Sequence, residues 1–243
     1  MEKFIIDKKI SSGEVDCNGN LKLSSLFGIF QELAHEHANI LKFGYYDLKP
    51  LNIYWVMSKI KIVFFRYPCW SEELSFVTSP KKPDAVSAYR DYEVRDSSGN
   101  IIIAATSTWA LINPDNLRPQ KISMLNLDLT YDEGFALESG TRIEKVEPIV
   151  ESDYDYELQV RYSDIDINQH TNNARYIEFI FDGLDTEFFK STQISEIVVN
   201  FTSESRIGDR LRIFYKKITD NKVIVECRKD AVTVFRASIE MKK

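Results

Sequence analysis

Four polar side chains recur at every second position in one short segment: Asp164, Asp166, Asn168 and His170. If the segment is extended, they share one side. If it turns into a helix, they gather at the helix N-terminus, where unpaired backbone N–H groups favour developing negative charge. A carboxylate, an amide and an imidazole in that setting can polarise a carbonyl, hold an oxyanion and move a proton. Asp and Asn are also the ordinary residues of turns and N-caps, so any one of them alone reads as structural. The density of the set argues for chemistry, since His170 is one of only three histidines in 243 residues.

The surrounding stretch, Arg161–Asp185, shows what must position these groups. Tyr156, Leu158 and Val160 alternate as in a strand, Asp164–His170 is the turn, and Tyr176, Ile177, Ile180, Phe181 and Leu184 form a helical stripe. Four β-like runs follow, at Ile194–Phe201, Leu211–Ile218, Lys222–Arg228 and Val232–Met241. The same order occurs earlier. A run at Phe4–Ile10 leads to the turn Val15–Asn20. Ser24 or Ser25 is placed to cap a helix striped by Leu26, Phe30, Leu33, His37 and Ile40, which Gly44 and Pro50 end. Runs at Ile53–Phe65, Leu74–Thr78, Val86–Arg95 and Ile101–Ile112 come next, the last two joined by the turn Asp96–Asn100. At an offset of 150, Asp16 falls on Asp166, Asn18 on Asn168 and Asn20 on His170. Agreement in element order makes duplication the better reading.

One helix followed by four antiparallel strands has one natural packing: the sheet curls around the helix. Two such units pairing their sheets make an α+β, tandem hot-dog arrangement with clefts between the units. The expected organisation is a first unit over residues 1–125 that shapes a substrate pocket, a connecting segment over 126–150, and a second, catalytic unit over 151–243.

Composition narrows the function. The formal charge of −6 argues against nucleic acid as a partner, because phosphate binding needs a dominant basic surface. Aromatic residues at 12%, with 15 Phe and 12 Tyr, suit a protein that surrounds something apolar. Cys17, Cys69 and Cys227 are odd in number and widely spaced, which fits a reducing cytoplasm without disulfides or zinc. No apolar run is long enough for a membrane span, and the first residues carry acidic groups unlike a signal or transit peptide. The chain has no GxSxG, GxxxxGK[ST], GxGxxG or HExxH motif, so neither a metal nor a cofactor is expected.

RYSDIDINQHTNNARYIEF resembles the W-S-D-x-D-x-N-x-H-x-N-N-x-x-Y-I signature of the acyl-ACP thioesterases, the plant plastid FatA/FatB enzymes and their shorter bacterial relatives. The resemblance extends to element order over most of the chain, with Trp109-Ala110-Leu111 closing the first half. It implies a tandem hot-dog fold and hydrolysis of fatty acyl-ACP to free fatty acid and ACP. It implies Asp166, Asn168 and His170 as catalytic residues, with Glu204 as the fourth member. Glu204 is assigned because Asn200–Ser205 stands where relatives carry a stretch like E-Y-R-R-E-C. Ser205 replaces the cysteine found in many relatives, which counts against a cysteine nucleophile there.

Further expectations concern binding. Phe30, Trp55 and Met57, with Leu26, Phe27 and Leu33, could line an acyl tunnel, although each is also an ordinary core residue. Ser205 and Arg206 are expected to contact substrate, and Arg206, Arg210, Arg212, Lys216 and Lys217 form a basic run beside Glu204 that could meet an acidic carrier protein or its phosphopantetheine phosphate. His35 and His37 read as core or supporting residues. An acyl-CoA thioesterase and a hot-dog protein that binds acyl groups without turnover are the competing readings. A homodimer is compatible with the sequence.

Overall fold

Alternation decides the first strand. In β1 (Phe4–Lys9), Phe4, Ile6 and Lys8 are half-buried while Ile5, Asp7 and Lys9 face solvent, the pattern of a strand with one covered face. The computed structural model describes residues 3–127, 129–131, 133–150, 155–184 and 193–242. Asp185, the last residue of the polar stretch singled out in the sequence, lies outside them.

The first half continues with α1 (Leu23–Ile40), a short α2 (Tyr45–Leu48), β2 (Tyr54–Phe64), β3 (Glu73–Lys81), β4 (Ala88–Arg95) and β5 (Ile101–Asn113). Helix α1 begins before the serines expected to cap it. Its N-cap is Lys22, whose N–H donates to the Glu14 carbonyl at 2.8 Å, and Ser24 is buried inside the first turn. That tertiary bond, rather than local capping chemistry, sets where the helix starts. At the β4–β5 turn Asp96 Oδ1 accepts from the N–H groups of Ser98 and Asn100 (3.0 and 2.9 Å), and Gly99 supplies the positive φ of 83°.

The second half holds β7 (Tyr156–Gln159), α3 (Asn173–Asp182), β8 (Ile194–Phe201), β9 (Arg210–Thr219), β10 (Lys222–Lys229) and β11 (Val232–Met241). Leu184, counted in the helical stripe, lies past the end of α3, which Gly183 caps. Between the halves a three-residue strand, β6 (Arg118–Gln120), turns back onto β5.

All the described strands belong to one sheet ordered β1-β3-β4-β5-β2-β8-β11-β10-β9-β7, with β6 on β5. The two halves run in mirrored order outward from the β2–β8 junction. There Lys59 faces Asn200 and Val63 faces Glu196 in antiparallel register. This is the tandem hot-dog expected from element order. Helices α1 and α3 pack together on one face, and Phe27, Phe30, Tyr176, Ile177 and Ile180 join Ile60, Ile62, Tyr92 and Phe235 in one core. Each such side chain contributes about 1.5–3 kcal/mol through burial.

Residues 133–150 cross the opposite face as a strap. Buried polar side chains that point away from the helices hold it. Asp91 accepts from Ala136 N–H (2.7 Å), Asn200 Oδ1 from Val146 N–H (2.7 Å) and Glu226 from Ile149 N–H (2.7 Å). Among the described residues no helix is long and apolar enough to cross a membrane.

Candidate active site

Asp166 closes the turn that carries His170. Its Oδ1 accepts the backbone N–H groups of Asn168 (2.8 Å) and His170 (3.3 Å), and its own N–H donates to the His170 carbonyl (2.8 Å). Gln169 occupies the tip with φ 64°. At the base of the turn Ile165 bridges Thr171, and Asn172 N–H donates to the Asp164 carbonyl (2.8 Å). The chain then enters α3 directly. The Asn172 side chain caps it by accepting from Ala174 N–H (2.8 Å). The N–H of Asn173, the first helical residue, has no partner within the helix.

The facing wall comes from the end of β8. Past Phe201, the N–H groups of Thr202 and Ser203 both donate to the Val234 carbonyl (2.8 and 3.2 Å), which turns the chain and presents Glu204 to His170. Glu204 Oε2 lies 3.0 Å from His170 Nε2. Glu204 Oε1 accepts from Arg206 Nη2 at 3.0 Å, and the same guanidinium nitrogen stands 3.4 Å from His170 Nε2. An imidazole N–H facing a carboxylate at this distance forms a charge-assisted hydrogen bond. The first half contributes Tyr54, whose ring is tilted against the His170 ring at a centroid distance of 6.4 Å. Burial, then the negative charge of Glu204, raises the Tyr54 hydroxyl pKa and keeps it a neutral donor.

These groups stand at the mouth of a cleft of about 1160 Å³. Asp166, Asn168, Asn173, His170, Glu204 and Tyr54 all line it. Pairing between β2 and β8 covers only Lys59–Val63 of β2, so Tyr54–Ser58 runs on without β8 beside it, and the cleft passes there. Trp55 and Met57 line it further in, along with residues of α1. The Trp55 indole donates to the Phe43 carbonyl at 3.0 Å, which fixes its ring in the wall.

The residues singled out in the sequence thus separate. Asp166, Asn168, His170 and Glu204 come together, and Trp55 and Met57 line the same cleft. Phe30 does not: it stacks on Tyr92 at 4.4 Å inside the core. Ser205 faces away from the cleft and is fully buried. Its Oγ is bonded to Thr171 Oγ1 (2.7 Å) and Tyr176 OH (2.9 Å), so it ties the turn to α3. Arg206 is exposed and tethered to Glu204. Asp164 is buried and structural, accepting from Arg161 N–H (2.7 Å) and Arg175 Nε (2.8 Å). Arg210 and Arg212 reach Glu157 (3.5 and 3.1 Å) and Lys217 reaches Asp220 (2.8 Å), so the basic run is largely held by local acids. His37 is buried against Phe4, whereas His35 is exposed beside Tyr45. Sequence reasoning missed Tyr54 and Asn173. Asn173 had a signal, being the second asparagine of the Asn172-Asn173 pair that opens the helix, while Tyr54 had none beyond its place at a strand start.

Family comparison covers both halves. The acyl-ACP thioesterase N-terminal domain matches residues 2–125, and the acyl-ACP thioesterase C-terminal domain matches residues 147–239. The chain is 26% identical over 244 residues to the oleoyl-acyl carrier protein thioesterase 2 of Arabidopsis thaliana, which covers 92% of this chain. It spans 64% of the length of that relative. Among solved structures, an acyl-ACP thioesterase from Bacteroides thetaiotaomicron superposes with a TM-score of 0.88 at 28% identity, over 99% of this chain and 98% of that one. The 12:0-ACP thioesterase from Umbellularia californica shares the fold, with a TM-score of 0.90 at 23% identity over 99% and 97% of the two chains.

Proposed function

This chain belongs to the acyl-ACP thioesterase family, and we propose that it hydrolyses the thioester of fatty acyl-ACP, releasing free fatty acid and ACP. The observation that carries this reading is the 3.0 Å contact between His170 Nε2 and Glu204 Oε2 at the mouth of the apolar-walled cleft. In the proposal the acyl chain lies in the cleft along Trp55 and Met57, with its thioester at this pair. Residues 1–125 supply the pocket, 126–150 connect, and 151–243 supply the chemistry.

Glu204 takes a proton from a water molecule, and the hydroxide adds to the thioester carbon. The oxyanion is held by the Asn173 N–H at the start of α3 and by the Asn168 side-chain amide, donors suited to charge that develops only in the transition state. The C–S bond then breaks, and the proton passes through His170 to the leaving thiolate, so the imidazole and carboxylate return to their starting states. Asp166 is a positioning residue here. Its Oδ1 is occupied by two backbone N–H groups and holds the turn on which Asn168 and His170 ride. Ser205 has no part in the chemistry, since both its hydroxyl contacts are internal. The proposal includes a cytoplasmic location, where the free thiols of Cys17, Cys69 and Cys227 persist.

The experiment is to incubate the purified protein with acyl-ACP and acyl-CoA series of increasing chain length and measure free thiol. Turnover of acyl-ACP at far lower substrate concentration than acyl-CoA is the expected outcome. Equal or better use of acyl-CoA moves the carrier assignment to CoA. Tight acyl binding with no thiol released at any chain length leaves a binding protein and refutes hydrolysis.

A further inference from the structure

The cleft has a second polar feature, remote from the reacting pair. Arg90, on β4, is only 5% exposed, yet it lines the cleft wall. Among the described residues no carboxylate is in ion-pair contact with it. Its polar neighbours are His37 Nδ1 and Thr78 Oγ1, each 3.2 Å from Nη1. Both are acceptors. The Thr78 hydroxyl gives its proton to the Asp91 carbonyl (2.8 Å) and so turns a lone pair to Arg90. Burial, then the charge of Arg90, lowers the His37 pKa to about 4, so its ring is neutral, and Nδ1, which faces the guanidinium donor, is the nitrogen that accepts. The nearest acid in sequence, Asp91, points to the other face of the sheet, where Thr106 Oγ1 (2.6 Å) and Ala136 N–H hold it.

Nη1 is therefore occupied, while the N–H groups of Nε and Nη2 meet no acceptor among the described residues. They are not sealed off either: among the described residues, the one side-chain nitrogen or oxygen both buried from solvent and unbonded is Arg236 Nε. The free donors of Arg90 open on the cleft. A buried guanidinium without a counter-charge is costly, and more so against hydrocarbon than against water.

Arg90 pairs across Ser107 of β5 with Ile60 of β2. It is thus two strands across and six residues along from Tyr54, a separation on the order of 20 Å. A chain whose thioester sits at Glu204 and His170 runs past Trp55 and Met57 toward it. Unsubstituted methylenes cannot use its donors; an oxygen can.

We propose that the cleft takes acyl chains bearing an oxygen function far from the thioester, a hydroxyl, carbonyl or carboxylate that accepts from the Arg90 guanidinium. This inference rests on the reading of the cleft as an acyl-thioester site.

The test uses non-hydrolysable thioether analogues of acyl-CoA with equal carbon number: a plain chain, one with a hydroxyl on a distal carbon and one ending in a carboxylate. Their affinities for the intact protein are measured by calorimetry, and the matching thioesters are assayed for thiol release. At least one oxygenated chain is expected to bind about tenfold or more tighter than the plain chain, the size of a hydrogen bond to a charged group. In Arg90→Met the preference is expected to vanish or reverse while the plain chain binds as well or better. A carboxylate above a hydroxyl identifies charge pairing, and equality identifies hydrogen bonding alone. Equal or weaker binding of both oxygenated chains by the native protein overturns the inference, whatever happens to the variant, so a variant that fails to fold does not shield it. Preference retained in a folded Arg90→Met overturns it equally. Thioethers bound with the preference intact, but no thioester cleaved, would refute hydrolysis and leave the Arg90 assignment standing.

Discussion

The turns at Asp16 and Asp166 are built by the same hydrogen bonds, and the second meets the carboxylate of Glu204. Asp16 Oδ1 accepts from Asn18 N–H (2.8 Å) and Asn20 N–H (2.9 Å), as Asp166 Oδ1 does from Asn168 and His170. The neighbouring loops also match. Leu21 N–H donates to the Pro68 carbonyl and Thr171 N–H to the Ser205 carbonyl, both at 2.9 Å. Cys69 N–H is held by Glu72 (2.9 Å) and Arg206 N–H by Asp209 (2.8 Å). This correspondence places Tyr67 where Glu204 stands and Asn20 where His170 stands. Tyr67 stacks on Phe64 at 4.7 Å and accepts from Ile194 N–H (3.2 Å), and burial raises its hydroxyl pKa, so that half has a packed phenol in place of a carboxylate. The aspartate persists in both turns because the turn needs it. The histidine and glutamate are what distinguish the turn that lines the cleft.

The sharpest way to break this contrast is to remove the imidazole and its counterpart. His170→Ala should lower kcat by about 10²–10⁴-fold, the usual loss for one acid–base group, while Asn20→Ala leaves turnover within a few-fold of native. Thiol-release kinetics on both variants would show it. Comparable losses would mean the first turn takes part in the chemistry.

Next come the aspartates. Asp166→Ala and Asp16→Ala should each destabilise the protein by about 1–2 kcal/mol, because each leaves backbone donors unpaired, and urea unfolding reads this directly. Only Asp166→Ala should also cost turnover, by up to about 10²-fold, through misplacement of His170. If Asp166→Ala abolishes activity without changing stability, the aspartate acts directly and its positioning role is wrong.

A third contrast concerns His37, on the first helix. Its pKa is lowered to about 4 in the folded protein from an ordinary 6.5, so the unfolded chain binds the proton more readily. Stability should therefore hold above about pH 6.5 and fall as pH drops toward 4. Relaxation around the charged ring limits the loss to about 2 kcal/mol. His37→Gln should flatten this part of the pH–stability curve from urea titrations. An unchanged slope would assign it to other groups.

The smallest effect is on chain length. Met57→Trp fills the cleft and should shift the preferred acyl chain shorter, each excluded methylene weakening binding by about 0.8 kcal/mol. Phe30→Leu should change stability and leave the chain-length profile in place, since Phe30 packs on Tyr92 rather than on the cleft. A profile moved by Phe30→Leu and untouched by Met57→Trp would invert the assignment.

Much of this arrangement was legible in the sequence, for physical reasons that also mark where legibility ends. Alternation and turn chemistry located the strands around Asp96–Asn100 and the two Asp-x-Asn turns, because those signals are local. The start of α1 was not local: Ser24 and Ser25 look like caps, but the Lys22–Glu14 bond fixes Leu23 as the first helical residue. Phe30, Trp55 and Met57 are alike in sequence, and only the packing of α1 against the sheet decides which of them faces the cleft. Ser205 follows Glu204 directly, yet the chain reversal at Thr202 and Ser203 sends the two side chains to opposite surroundings. The strap over residues 133–150 has no periodicity to read, because polar residues scattered over separate strands, Asp91, Asn200 and Glu226 among them, hold it.

The most direct test is the rate of thiol release from saturating acyl-ACP by Glu204→Gln, an isosteric change that keeps a group beside His170 and Arg206 but removes the base. The expected result is a fall in kcat of about 10²–10⁴-fold with folding intact. Native turnover in a folded Glu204→Gln protein would contradict the assignment of the chemistry to the His170–Glu204 pair.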